Sequence, residues 1–338
     1  MLKFSVGYQY NERTPFSDIV QMYSDKIGEV YFSWIDCASG RSMIGGYDGY
    51  FDYSLQNILV DELKKIKKMG IKLDLLFNAN CYGEDSMSEV LRGRVFSIID
   101  FLADNGLMPE TVTTTSPAIA YMIKQQYEGI RLKASVNMKI SAVKSMMYVA
   151  HLFDGYCVAK ECNRDLKCLG EMRQWAQENG KQITILANSG CMRNCSGQIF
   201  HDNMVAHERE ISKQKNIDFL PYVCWNYLKN KENRVSILQN TWIRPEDIFH
   251  YEGLANVVKL ATRSHALPGM VIGAYARGHY SGNLLDLFEP GYGPAFMPYA
   301  VDSSKIPGNF WERTTACDKN CLKCSYCQEV LDKSLVFA

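Results

Sequence analysis

The chain has 338 residues, 47% of them hydrophobic and 22% charged, and its 37 basic and 37 acidic side chains leave no formal net charge. That balance argues against bulk nucleic-acid binding, which needs a basic face to displace counterions. No stretch reaches the roughly 18 apolar residues of a membrane span, and residues 1–7 lack the basic-then-apolar pattern of a signal peptide. A reducing, cytoplasmic location is therefore expected, where cysteines stay free unless a soft metal takes them.

Taken in chain order, strand-like runs alternate with amphipathic runs. Residues 4–9 read as a strand and 16–27 as a helix; 29–35 is a second strand, followed by a helix over 58–69 that Gly70 ends. Residues 71–77 form the third strand and 87–105 a long helix. Further strands are expected at 111–115, 131–136, 156–159 and 183–187 with helices between them, then a last strand at 256–262 and a helical region over 265–288. Eight strand–helix units require parallel strands with right-handed crossovers. They match an α/β fold of the closed (β/α)8 TIM-barrel type, with a doubly wound open sheet as the alternative architecture. The domain organisation expected is a barrel over 1–301, interrupted by an insertion after strand 7 at about 191–244, and a cysteine-rich tail over 302–338.

Residues just after the strands are polar or reactive, among them Gln9, Asp36, Cys37, Asn78, Asn80, Cys81, Asn137, Lys160, Glu161, Asn188, Ser189 and Arg263. In a barrel these positions converge on the C-terminal rim, where active sites sit. Asn78, Asn80 and Asn137 are candidates to orient a polar substrate. Lys160 and Glu161, with Lys259 and Arg263, place charge that must be paired or used to clamp a substrate. Glu161, Lys259, His201 and Asp202 are the candidate catalytic groups; helix capping is the alternative role for His201 and Asp202.

The cysteines carry the sharpest signal. Cys191-x-x-x-Cys195 follows strand 7, where Gly190 allows a sharp turn, and Cys224 lies further along the insertion. Three thiolates at a barrel mouth suit a 4Fe-4S cluster or zinc. Cys37, Cys81, a tail cysteine or a substrate atom could complete the set. In the tail, Cys317, Cys321, Cys324 and Cys327 fall within eleven residues, enough for a second four-thiolate site. Their close spacing favours iron–sulfur over zinc, since a zinc ribbon uses two well-separated pairs. A radical-SAM triplet is disfavoured because it would follow the first strand. Cys157, Cys162 and Cys168 read as packing residues. No His-Glu-x-x-His helix, Gly-x-Ser-x-Gly elbow or dinucleotide fingerprint is present.

The runs Ala187-Asn188-Ser189-Gly190-Cys191-Met192-Arg193-Asn194-Cys195 with His201-Asp202-Asn203, Lys160-Glu161-Cys162-Asn163-Arg164-Asp165-Leu166, and Ile243-Arg244-Pro245-Glu246-Asp247 resemble the collagenase-like peptidase family U-32. The resemblance implies a barrel with a cysteine-bound 4Fe-4S cluster and makes Cys191, Cys195 and Cys224 its ligands. Some members are named peptidases. Others take part in oxygen-independent hydroxylation of a quinone precursor or of transfer-RNA uridine. The Cys191–Cys195 spacing is tighter than the family's usual one, and the tail is additional. The resulting expectation is an iron–sulfur enzyme with one or two clusters acting on a polar small molecule or modified nucleoside, served by an electron-donor protein. A collagenase-like peptidase and a non-catalytic scaffold with a structural zinc tail are the alternatives.

Overall fold

The computed structural model describes residues 2–11, 13–41, 44 and 51–338. Strands β1 (Lys3–Gly7), β2 (Ile27–Ser33), β3 (Lys72–Phe77), β4 (Thr111–Thr114), β5 (Arg131–Ala134), β6 (Gly155–Cys157), β7 (Gln182–Leu186) and β8 (Val257–Leu260) follow one another in chain order. Each pairs in parallel with the next, and β8 returns to β1 with Lys259 opposite Ser5, closing the barrel. The expected TIM barrel is therefore the fold, and the open sheet is excluded.

Local chemistry explains most element boundaries. Asp52 caps the helix Tyr53–Lys68 by accepting the Leu55 N–H at 3.0 Å, so this helix starts five residues earlier than its apolar pattern suggests. Ser88 does the same for Glu89–Asp104 through Leu91. The first helix, Phe16–Met22, is shorter than expected because Ile27 is drawn into β2, where it pairs with Phe4 and is buried. The helical region expected over 265–288 is broken. An α-helix, Pro268–Arg277, ends at Gly278 in the left-handed conformation, and a short 3-10 turn follows at Leu284–Leu287. No helix among the described residues is long and apolar enough to cross a membrane.

Two hydrophobic clusters hold the molecule. The larger lies inside the barrel and between its strands and helices. The second gathers Met192, Leu228, Ile237 and Trp242 from the insertion, Leu284, Phe288 and Phe296 from the segment after β8, and Phe310, Val330 and Leu331 from the tail. Trp242 stacks on Phe310 with ring centroids 5.7 Å apart. A small antiparallel pair, β9 (Tyr299–Val301) with β10 (Leu335–Phe337), ties the last residues back to the segment before the tail. Insertion and tail thus share one core.

The barrel interior carries charge. Lys133 on β5 donates to Glu29 on β2 at 2.7 Å and to Asp74 on β3 at 3.0 Å; Ser5 and Thr113 donate to the same two carboxylates. Burial would raise Glu29, but Lys133 brings it below its ordinary value; for Asp74, burial prevails and its value is raised. The Lys259 ammonium sits 3.8 Å from the centroid of the Tyr31 ring, a cation–π contact deep in the same layer. Removing one partner from such a group strands the others without compensation. Lys133→Met is expected to destabilise the fold by about 3–5 kcal/mol, read by denaturant unfolding; a loss under 1 kcal/mol would show that the interior charges are not coupled as described.

Candidate active site at the barrel mouth

The rim is assembled around the segment after β7. Asn188 is fully buried; its amide donates to the carbonyls of Ala261 (2.8 Å) and Leu287 (2.9 Å) and its oxygen accepts from Ala261 N–H, so it clamps the ends of β7 and β8. The next residues pair with the 289–290 backbone through Gly190 N–H to Glu289 C=O at 3.1 Å and Glu289 N–H to Asn188 C=O at 3.2 Å. A Cβ at position 190 would stand 2.0 Å from the Pro290 carbonyl oxygen. Glycine is therefore required by close approach of two backbones, not by the sharp turn the sequence suggests.

This clamp sets Cys191 at the junction of two cavities. A cleft of about 580 Å³ is lined by Arg41, Cys191, His201, Asp202, His265 and Glu289. A narrower recess is shared by Arg41, Asn137, Lys139, Lys160, Glu161, Cys191 and Asp202. Of the residues singled out in the sequence, Asn137, Lys160, Glu161, Cys191, His201 and Asp202 meet here. Lys160 is buried and donates to Glu161 at 2.8 Å and to the Met192 carbonyl at 3.0 Å, so the expected ion pair is present and also supports the cysteine loop. Burial would raise Glu161, yet Lys160 holds it below its ordinary value. Asn78 lies beneath the rim and orients it: its oxygen accepts the Gly40 N–H at 3.1 Å, and its carbonyl accepts from Asn137.

Others stand apart. Lys259, taken as catalytic from its place at a strand end, stands against Tyr31 within the barrel and lines neither cavity. Its strand ends one residue later, which leaves it a layer below the mouth. Asn80 is half-buried and lines neither cavity. Arg263 is buried beside Tyr31, Glu289 and Arg41, with its Nη1 unpartnered. Arg41, Lys139, Glu289 and Tyr292 were not foreseen. Arg41 donates to Glu289 at 2.9 Å, and Glu289 also accepts the Ser264 N–H at 3.0 Å. Their only signals in the sequence are a Gly-Arg pair after the second strand and a glycine- and proline-rich run near Glu289.

The electrostatics of the mouth are uneven. Burial pushes Asp202 above its ordinary value against the opposing charges of Arg41 and Lys139, and one of its carboxylate oxygens, Oδ2, is buried without a hydrogen-bond partner. Burial and Arg41 lower His201, while Asp202 pulls the other way, so its imidazole is neutral at pH 7. The ring meets Tyr222 edge-on at 5.3 Å.

Cys191, Cys195 and Cys224 share one electrostatic neighbourhood, in which the first two thiols and burial raise the third. The Tyr292 hydroxyl is enclosed beside all three and has no partner of ordinary hydrogen-bond geometry. Among the described residues, no three His, Cys, Asp or Glu side chains stand in a ready ligating arrangement. Of the expected fourth ligands, Cys37 is buried in the main core with its thiol pushed up to about 11, and Cys81 accepts the Gly83 N–H; neither lines these cavities. Cys195 and Cys224 line an adjoining cleft of about 480 Å³ together with Cys321 of the tail. Cys157 and Cys162 are buried, as packing residues should be.

No family model matches the sequence. Among curated proteins, the chain is similar to "Uncharacterized protease MJ1657" of Methanocaldococcus jannaschii, with 25% identity over 284 residues, 82% of this chain and 81% of that protein. Among solved structures, it is similar to the U32 peptidase Mk0906, with a TM-score of 0.54 and 13% identity over 77% of this chain and 92% of that one. The structural likeness speaks to the fold. Together the two bear out the resemblance to the U32 peptidases read from the sequence.

The charge arrangement fixes the sign of two shifts. Asp202→Asn removes the group that holds His201 up and should move its pKa further below 6.5; Arg41→Gln removes an opposing cation and should move it upward. Titration of the His201 imidazole by NMR reads both, and shifts of the same sign in the two variants would contradict this geometry.

Proposed function

We propose that the chain is an enzyme of the U32-peptidase type that binds an amide-bearing substrate, a peptide in the first instance, at the barrel mouth. The observation that carries this reading is a buried, unpartnered acceptor, Asp202 Oδ2, on a side chain that lines both cavities beside Arg41. Leaving it unpaired costs about 1–3 kcal/mol. The N–H of an amide could satisfy it, with the amide oxygen toward Arg41. The likeness to a protein named as a protease and to a U32 peptidase supports peptide hydrolysis over redox chemistry.

In this reading water is the nucleophile. In its carboxylate form Asp202, made more basic by burial, accepts a proton from that water, and neutral His201 is placed to relay it. Water's oxygen bonds to the carbonyl carbon, the C–N bond breaks, and the proton passes to the leaving amine. Arg41, which lines both cavities, offers positive charge for the oxygen as it becomes anionic. The Lys160–Glu161 pair holds the cysteine loop in place.

A second reading rests on the thiols. Cys191, Cys195 and Cys224 share one electrostatic neighbourhood, and the enclosed Tyr292 hydroxyl sits against the Cys224 thiol. Drawn together as thiolates, the three would suit a 4Fe-4S cluster or zinc, which would supply electron transfer or Lewis acidity respectively. With a cluster, the substrate would be a polar small molecule or modified nucleoside, and an electron-donor protein would be needed.

The two readings separate in one preparation. Full-length protein purified without oxygen is assayed for iron and sulfide and incubated with a peptide library and with gelatin, products being read by mass spectrometry. The peptidase reading expects new amino termini, and a fall in kcat of about 10²–10⁴-fold in Asp202→Asn with thermal stability kept. Absence of cleavage, or cleavage indifferent to Asp202→Asn, sinks it. Zinc without iron or sulfide, after reconstitution with both, sinks the iron–sulfur reading.

A further inference from the structure

A buried cation in the second core has no anion. Arg164 is 7% exposed. Its guanidinium donates only to carbonyls, Leu238 at 2.8 Å and Trp242 at 3.2 Å, and lies against the Trp242 and Phe310 rings at 5.0 and 5.2 Å. Among the described residues no carboxylate comes within ion-pair distance of it. The acids nearby are committed elsewhere: Asp247 to Arg244 through two hydrogen bonds at 2.6 and 2.8 Å, Glu161 to Lys160, and Asp165 to Lys319. A buried charge without a counter-charge costs several kcal/mol, so such groups are paired or serve a charged ligand.

Arg164 faces sulfur instead. It shares a small recess with Cys317, Cys321 and Cys327, and Cys327 lies within electrostatic reach of Cys317, Cys321, Cys324 and Arg164 together. Neutral thiols would not balance a guanidinium. Four thiolates around a thiophilic cation would, because either Zn²⁺ or an oxidised 4Fe-4S core held by four cysteines leaves a net charge of about minus two. The four sulfurs are not in a ready ligating arrangement in this structure, so binding must draw the loop together; Lys319, between the first two cysteines, is left-handed at φ 62°, and Cys327 lies in the first turn of the helix Tyr326–Ser334.

We propose that Cys317, Cys321, Cys324 and Cys327 hold a four-thiolate metal centre whose negative charge is matched by the buried Arg164 guanidinium. Binding releases the thiol protons as the sulfurs bond to the metal; Zn²⁺ keeps its oxidation state, and an oxidised 4Fe-4S core assembles without net oxidation from two ferrous ions, two ferric ions and four sulfides. Because Cys321 also lines the cleft with Cys195 and Cys224, this centre forms one wall of that cleft. The proposal does not depend on whether the chain is a peptidase.

The test uses the wild-type full-length chain, in which Cys317, Cys321 and Cys324 are exposed and would be alkylated at once if unbound. Protein reconstituted with Zn²⁺ alone, or with equal parts of ferrous and ferric iron and sulfide, is treated with iodoacetamide, and modified cysteines are mapped by mass spectrometry with and without a strong chelator. In one arm or the other, all four tail cysteines are expected to react at least tenfold more slowly until chelator is added, and the protecting arm identifies the metal. Arg164→Met should weaken metal retention about 10–100-fold, and Arg164→Lys should recover part of it. Equal alkylation with and without chelator in both arms, or equal metal retention in Arg164→Met, overturns the proposal. Protection of Cys191, Cys195 and Cys224 is read separately in the same map and bears only on the second reading above.

Discussion

Closure of the barrel between β1 and β8 is the constraint from which the rest follows. It joins residues more than 250 positions apart, and several side chains enforce it. Gly7 and Thr262 exchange hydrogen bonds at 2.8 and 3.1 Å, and the Tyr31 hydroxyl donates to the Leu260 carbonyl at 2.8 Å. A Cβ on Gly7 would meet the Tyr31 ring at 2.6 Å, so the smallest residue sits where the ring crosses the seam. Once the cylinder is shut, the loops after all eight strands share one end, and groups scattered through the chain become neighbours.

Charge is handled differently at the two levels of the cylinder. In the interior layer, Lys133 is matched by Glu29 and Asp74, although Asp74 Oδ1 has no partner of its own. At the mouth, Asp202 keeps one carboxylate oxygen unpaired on a wall of the cavities, and the Tyr292 hydroxyl is enclosed against the Cys224 thiol. An orphaned group costs stability, and at a cavity wall a ligand could satisfy it. The same reasoning extends to Arg164, which shares its recess with the tail cysteines while the acids near it are paired with other cations.

Likeness to the U32 peptidases spans most of the chain, yet the parts that bear on chemistry differ in character. The barrel strands supply a scaffold common to many activities, and the scaffold does not choose among them. What distinguishes this mouth is the loop after β7, held by Asn188 and Gly190, and the insertion and tail that pack around Trp242 and Phe310.

The period of apolar residues, the glycine stops and the count of strand–helix units were enough to name the barrel and most of its strands from sequence, since these are local properties of the chain. The cysteine groups, Lys160 with Glu161, and His201 with Asp202 were also legible, because their residue types and spacing are unusual wherever they fall. Helix starts set by Asp52 and the broken run over 265–288 were missed, since a single cap or a left-handed glycine overrides a long apolar pattern. Depth was invisible: Lys259 and Arg263 are four positions apart, yet the first stands against Tyr31 in the cylinder and the second reaches Glu289 at the rim. Proximity was equally hidden, as for Arg41 beside Glu289, because 248 residues separate them and only the closed fold brings them to 2.9 Å. Sequence by itself determined which chemical groups the protein owns and the repeating unit that carries them. Tertiary structure alone decided which of those groups meet, and which remain unpaired, because both depend on distances set when the last strand docks on the first.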